Sequence, residues 1–233
     1  MTVRSQPVGR RARPARRTAR KRQPSRVKGL LRHAPKIILV VVIAMLVARA
    51  VNVVPRLVQN ALPGYTPIAP LFTKEIQHWR MDIERWAAAY DLDPNLLATV
   101  MQIESCGHPT ISSSAGAQGL FQVMPFHFSA NENQIDPETN ARRGASFLEQ
   151  CLTRWGKNDP GLALACYNGG PSLTNKPYTA WPNQTQRYFI WGLGIYTDAS
   201  SNQSSSQTLD TWLNAGGRTL CQMASREMGL QAG

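Results

Sequence analysis

Three Asp-Pro pairs, Asp93-Pro94, Asp136-Pro137 and Asp159-Pro160, constrain the fold of this 233-residue chain more than any other feature. Proline at a first helical position lacks only an N–H that the first turn leaves unpaired, and the aspartate before it can cap the remaining donors, so each pair reads as a helix start. The helix after Asp93 carries the stripe Leu97, Val100, Met101 and Glu104. The one after Asp136 runs from about Pro137 to Trp155, with Ala141, Gly144, Ala145, Leu148, Leu152 and Trp155 facing the core. The one after Asp159 ends at Asn168-Gly169-Gly170, a glycine stop. Two more helices complete the set. Thr73 caps one with Ile76, Trp79, Ile83, Trp86 and Tyr90 on its apolar face. The other begins near Asn183, where Gln186 completes a capping-box pattern, and carries Tyr188, Trp191 and Ile195. Cys106 to Met124, rich in Gly and Ser, has room for a small hairpin at most. The class is mainly α with a minor β or loop element.

Charge marks where folding can start. Residues 1–36 hold ten Arg and three Lys with no acid, half of the 26 basic residues, while residues 37–233 balance 13 basic residues against all 14 acids. A uniformly basic nucleic-acid-binding domain is therefore excluded. The leader is too poor in apolar residues to offset the entropy of ordering it and is expected to be disordered and cytoplasmic. Residues 37–54 come next as a membrane segment: twelve unbroken apolar residues, Ile37 to Ala48, then Arg49, in an interval near the roughly 20 residues a spanning helix needs. An uncleaved signal-anchor and a cleaved signal peptide ending near Ala48-Arg49-Ala50 both fit, and the 36-residue basic region favours the anchor. Either way the positive-inside rule keeps the leader in the cytoplasm and exports the chain beyond Val54.

Residues 55–71, with Pro55, Pro63, Pro67 and Pro70, read as a tether. Residues 72–198 are the folded domain, and residues 199–233 a Ser/Gln linker and C-terminal tail with a short helix near Leu209 and Trp212. Cys106, Cys151, Cys166 and Cys221 lie on the exported side without metal-like spacing. Their three pairings and simple burial as thiols all stay open.

Glu104 is out of place on its stripe. A carboxylate on an apolar face is costly unless paired or protonated, and no Lys or Arg lies within a helical turn. Desolvation should raise its pKa toward neutrality, as a general acid requires. The competing reading is a helix-end glutamate turned to solvent before Cys106-Gly107.

Glu104-Ser105, Pro109, Ser113, Gly116-Ala117-x-Gly119-Leu120-Phe121-Gln122 and Met124-Pro125 together resemble the first half of the SLT-type lytic transglycosylase domain, a goose-lysozyme-like family that cleaves peptidoglycan. Asp136-Pro137 with Asn140, Gly144 and Leu148, then Ala165 to Gly170, then Thr185 to Tyr188, resemble its later motifs in the same order. The resemblance covers about Asp93 to Tyr196. It departs from the family at Phe121, where methionine is usual, at Cys166, and at Gln186, where glutamate is usual.

The resemblance implies a lysozyme-like α domain of the α+β kind, with Glu104 as sole catalytic acid. Ser113, Gln122, Met124, Tyr167, Asn168 and Tyr188 would contact or position substrate. Of the tryptophans, Trp181, in a Pro-flanked loop, is the best placed to stack on sugar. The implied reaction cleaves the β-1,4 bond from N-acetylmuramic acid to N-acetylglucosamine, leaving 1,6-anhydro ends, with peptidoglycan strands as partner. It calls for no metal or organic cofactor and no nucleic acid, and the enzyme would be a membrane-tethered extracytoplasmic monomer, or secreted after signal cleavage. A hydrolytic lysozyme on the same bond and a non-catalytic wall-binding protein are the rival readings.

Overall fold

The three Asp-Pro pairs act as helix starts through the same bond. Asp93 accepts from the Asn95 N–H, Asp136 from Thr139 and Asp159 from Leu162, and each following proline is the first helical residue. A computed structural model of the chain describes residues 67–230. The basic leader, the apolar segment of residues 37–54 and the tether as far as residue 66 lie outside the described residues. Among the described residues no helix is long and apolar enough to cross a membrane.

The helices are α1 (Lys74–His78), α2 (Arg80–Ala89), α3 (Pro94–Glu104), α4 (Pro137–Gln150), α5 (Pro160–Gly169), α6 (Asn183–Ser200), α7 (Gln207–Trp212) and α8 (Arg218–Glu227). α5 is well enclosed, with Ala163, Leu164, Ala165 and Cys166 all fully buried. α6 packs along α5 and also against α3, so the helix that carries Tyr188 lies against the one that ends in Glu104. Leu97, Val100 and Met101 of α3 and Ile195 of α6 are fully buried at the heart of this core.

Five expectations are corrected. The helix from Thr73 to Tyr90 is two helices that meet at Trp79, whose indole Nε1 donates to the carbonyl of Gly107 at 2.9 Å. Thr73 makes no side-chain cap, because its Oγ1 and N both donate to Gln102 Oε1 at 3.2 Å. At α6 the N-cap is Pro182, and Gln186 makes no capping box: its amide donates to the carbonyls of Tyr178 and Trp181.

The small hairpin reduces to two isolated antiparallel bridges, Ser112 with Gln118 and Gln118 with Val123. Gly116, Gly119 and Gln122 all take positive φ, so the chain reverses before a ladder can grow. Finally, the folded body does not stop at residue 198. Leu209, Trp212, Cys221 and Ala224 are buried in the main core, and α7 and α8 belong to it.

The four cysteines form two bridges, Cys106–Cys221 and Cys151–Cys166. The second joins α5 to a widened π-helical turn, Cys151–Trp155, which continues α4.

Candidate active site

Glu104 is the last residue of α3 and is half-buried. Burial pushes its pKa up to about 7, and the Tyr188 hydroxyl beside it pulls in the opposite direction. That hydroxyl is itself buried and has no hydrogen-bond partner of acceptable geometry among the described residues. The negative charge of Glu104 also helps to raise the pKa values of Tyr167 and Tyr188 well above the phenolic range, after burial as the first cause. Three titratable side chains from α3, α5 and α6 therefore share one desolvated space.

The loop facing Glu104 is fixed from several sides. Ser105 Oγ donates to the Leu120 carbonyl at 2.6 Å and accepts from the Gly107 N–H at 3.0 Å. Asn140, fully buried on α4, accepts from the Phe121 N–H at 2.9 Å and donates to the carbonyls of Gln118 and Gln134, both at 2.8 Å. Tyr167 Oη donates to the Phe121 carbonyl at 2.8 Å. Gln122 has φ 45°, and its amide donates to the carbonyls of Ile111 and Gly119. A β-carbon at Gly119 would sit 2.6 Å from Asn140 Nδ2, so glycine admits this approach where a side chain would not.

Next to this cluster opens a cavity of about 470 Å³. Of the residues expected from sequence, Gln122, Met124, Tyr167 and Asn168 line it. Asn168 Oδ1 accepts from Thr185 Oγ1 at 2.9 Å, so the first turn of α6 orients it. Glu104 and Tyr188 do not line this cavity but are within electrostatic reach of the Tyr167 hydroxyl. Ser113 lies apart on an exposed turn, where its Oγ accepts from the Ala117 N–H at 3.0 Å.

The cavity also uses residues that sequence reasoning missed: Phe126, His127, Arg143 and Phe147. Phe126 is 75% exposed, and an exposed aromatic two residues after Met124 was the signal available. His127 packs between Phe126 and Phe147, and burial and the Arg143 charge lower its pKa. Trp155 is on the cavity wall, whereas Trp181 is not: it is 6% exposed in a small core with Leu173, its Nε1 donating to the carbonyls of Leu173 and Lys176.

Other carboxylates near this face are committed. Asp136 caps α4, and Arg85 with the Trp86 N–H lowers Glu138 to about 2. Arg143, the Ser129 N–H and Arg142 lower Glu132 to about 2. Glu75, Cys106 and Cys221 approach one another in a metal-like cluster, but both sulfurs are in the disulfide, which leaves a single ligand.

Residues 81–190 match the family described as the transglycosylase SLT domain. It is 38% identical over 112 residues to the transglycosylase of Enterobacteria phage PRD1, covering 47% of this chain and 40% of that protein. It is 36% identical over 99 residues to the endo-type membrane-bound lytic murein transglycosylase A of Klebsiella pneumoniae, covering 37% of this chain and 48% of that protein. With the soluble lytic murein transglycosylase of Escherichia coli the identity is 29% over 100 residues, covering 38% of this chain and 15% of that protein. The chain thus spans less than half the length of each of these relatives.

Proposed function

We propose that the protein is a peptidoglycan lytic transglycosylase with Glu104 as its single acid and base. The observation that carries this is the isolation of Glu104: its carboxyl is desolvated, has no cationic partner among the described residues and has a pKa near 7, while the neighbouring Glu132 and Glu138 are held ionised by arginines. A water-using glycosidase ordinarily works with two carboxyl groups, one of them free to activate water or attack the sugar. Here one proton-carrying group serves both halves of a reaction without water.

Protonated Glu104 gives its proton to the glycosidic oxygen as the bond from the N-acetylmuramic acid C1 breaks, releasing N-acetylglucosamine as an alcohol. The acetamido group of the muramic residue stabilises the oxocarbenium-like centre. Glu104, now a carboxylate, takes the proton of the muramic 6-hydroxyl as that oxygen bonds to C1, which closes the 1,6-anhydro ring and restores the acid. A pKa near 7 suits a group that must give and then take a proton at neutral pH. Tyr167 and Asn168, held by Phe121 and Thr185, would fix the sugar between Gln122 and the aromatic wall. The two disulfides support an oxidising compartment for this domain, in line with export behind the basic leader.

The test is Glu104→Gln on purified sacculi, with the soluble products read by mass spectrometry. Wild type should release anhydro-ended muropeptides and the variant none. Activity of the variant within a few-fold of wild type rejects the assignment, and reducing-end sugars from wild type identify a hydrolytic lysozyme instead.

A further inference from the structure

The transglycosylase match ends at residue 190, yet the described body continues through α7 and α8 to residue 230. The last of them, α8, reaches the segment that directly follows Glu104. Cys221 of α8 is bonded to Cys106, two residues after Glu104. Six residues on, Glu227 accepts from Thr110 Oγ1 at 2.9 Å. Trp79 Nε1 contacts Met228 Sδ at 3.2 Å as well as the Gly107 carbonyl at 2.9 Å. Ser225 Oγ donates to the buried carboxylate of Glu75 on α1.

The segment gripped in this way is in an unusual conformation. Cys106 and Gly107 have φ 50° and 78°, so α3 must end at Ser105, and a β-carbon at Gly107 would lie 2.9 Å from Trp79. A non-glycine residue at positive φ costs free energy and is kept only where its surroundings enforce it. The cystine and the Trp79 bond provide that enforcement. Without them the end of α3 keeps the Ser105 bond to Leu120 but loses its ties to α8 and Trp79, and Glu104 is its terminal residue.

We infer that the C-terminal helix is a strap that positions the catalytic carboxyl, with Cys106 and Cys221 as positioning residues that hold Glu104 in its dry site. This rests on the reading of Glu104 as the acid. The titratable groups that act on Glu104 are Tyr167 from α5 and Tyr188 from α6, and both stay neutral across the working range. Water entering at the end of α3 is therefore what would change its protonation.

The experiment compares wild type with the double variant Cys106→Ala/Cys221→Ala. It records the pH profile of sacculus solubilisation and, independently of turnover, the NMR titration of the Glu104 carboxyl carbon. Loss of the strap should move the alkaline limb and the titration midpoint down by about one pH unit or more. At pH 7 the variant then loses about fivefold or more in activity while staying within about threefold of wild type at pH 5. A uniform loss at every pH with an unmoved midpoint overturns the inference, because a merely structural bridge would act that way.

If the double variant does not fold, Trp79→Phe, which removes the indole donor together with one ring, is measured in the same way. A smaller shift in the same direction supports the strap, and an unmoved midpoint overturns it. A wild type whose Glu104 titrates near 7 without cleaving sacculi rejects the proposed function and leaves the strap to be judged by the titration.

Discussion

The hydroxyl of Tyr188 stands beside the carboxyl of Glu104, buried, with no hydrogen-bond partner of acceptable geometry among the described residues. A buried polar group without a partner costs roughly 1–3 kcal/mol, so the site holds a donor that the resting fold does not use. In the proposed reaction the demand for it arises when Glu104 carries charge, after it has given up its proton.

Tyr188→Phe should therefore leave thermal stability unchanged or slightly raised, and should lower cleavage by about tenfold, the equivalent of about 1.4 kcal/mol in the transition state. Because the hydroxyl lowers the pKa of Glu104, its removal should move the alkaline limb to higher pH. Calorimetry and a pH–rate profile check the two halves separately.

Glu104→Gln should stabilise the protein as pH rises. The native carboxyl holds its proton up to about 7 and the unfolded one only to about 4.5, so between these values the folded state binds more protons and loses stability with increasing pH. The loss from this group is absent below about pH 4.5 and reaches on the order of 3 kcal/mol above pH 7. Denaturant melts at pH 4 and pH 8 should show wild type and variant close together at the first and the variant more stable at the second.

Asn140→Ala removes three bonds at once and strands the Phe121 N–H and two carbonyls in the interior. A cost of about 3 kcal/mol is expected, read as a lowered urea midpoint, with loss of activity because the loop from Gln118 to Gln122 is no longer held.

Gly144→Ala would place a methyl 2.5 Å from Phe121 Cβ and 3.2 Å from Tyr167 Oη. Overpacking of this kind costs about 1–3 kcal/mol. Activity should fall further than stability, since Phe121 and Tyr167 would both have to shift. Kinetics at about 20 °C below the variant's own melting point, where it is folded, provide the check.

The tryptophans separate core from cleft. Trp181→Ala should destabilise by about 3–5 kcal/mol. Trp155→Ala, on the cavity wall and only partly buried, should chiefly weaken substrate binding. Melting temperature and binding to soluble glycan strands distinguish the two.

Local chemistry made much of this legible in the chain itself. The Asp-Pro starts, the glycine stop after Asn168 and the buried stripes of α3 and α4 depend on residues within a few positions of one another, and they fell where the sequence placed them. Glu104 stood out for the same reason, as a charge on an apolar face with no cation within a turn. What sequence could not supply were relationships across the fold. Trp79 breaks a helix that its apolar spacing would continue, because its indole is claimed by Gly107, 28 residues away. Trp155 and Trp181 exchange expected roles because burial depends on what packs opposite. The polar run at residues 199–208 suggested an end to the domain, yet Cys221 bonds to Cys106 across 115 residues and brings α8 back to the end of α3. Short-range hydrogen bonding and periodicity set the helices and their ends. Which side chains share one dry space around Glu104 was decided by packing, since desolvation is a property of everything that surrounds a group and not of its neighbours in the chain.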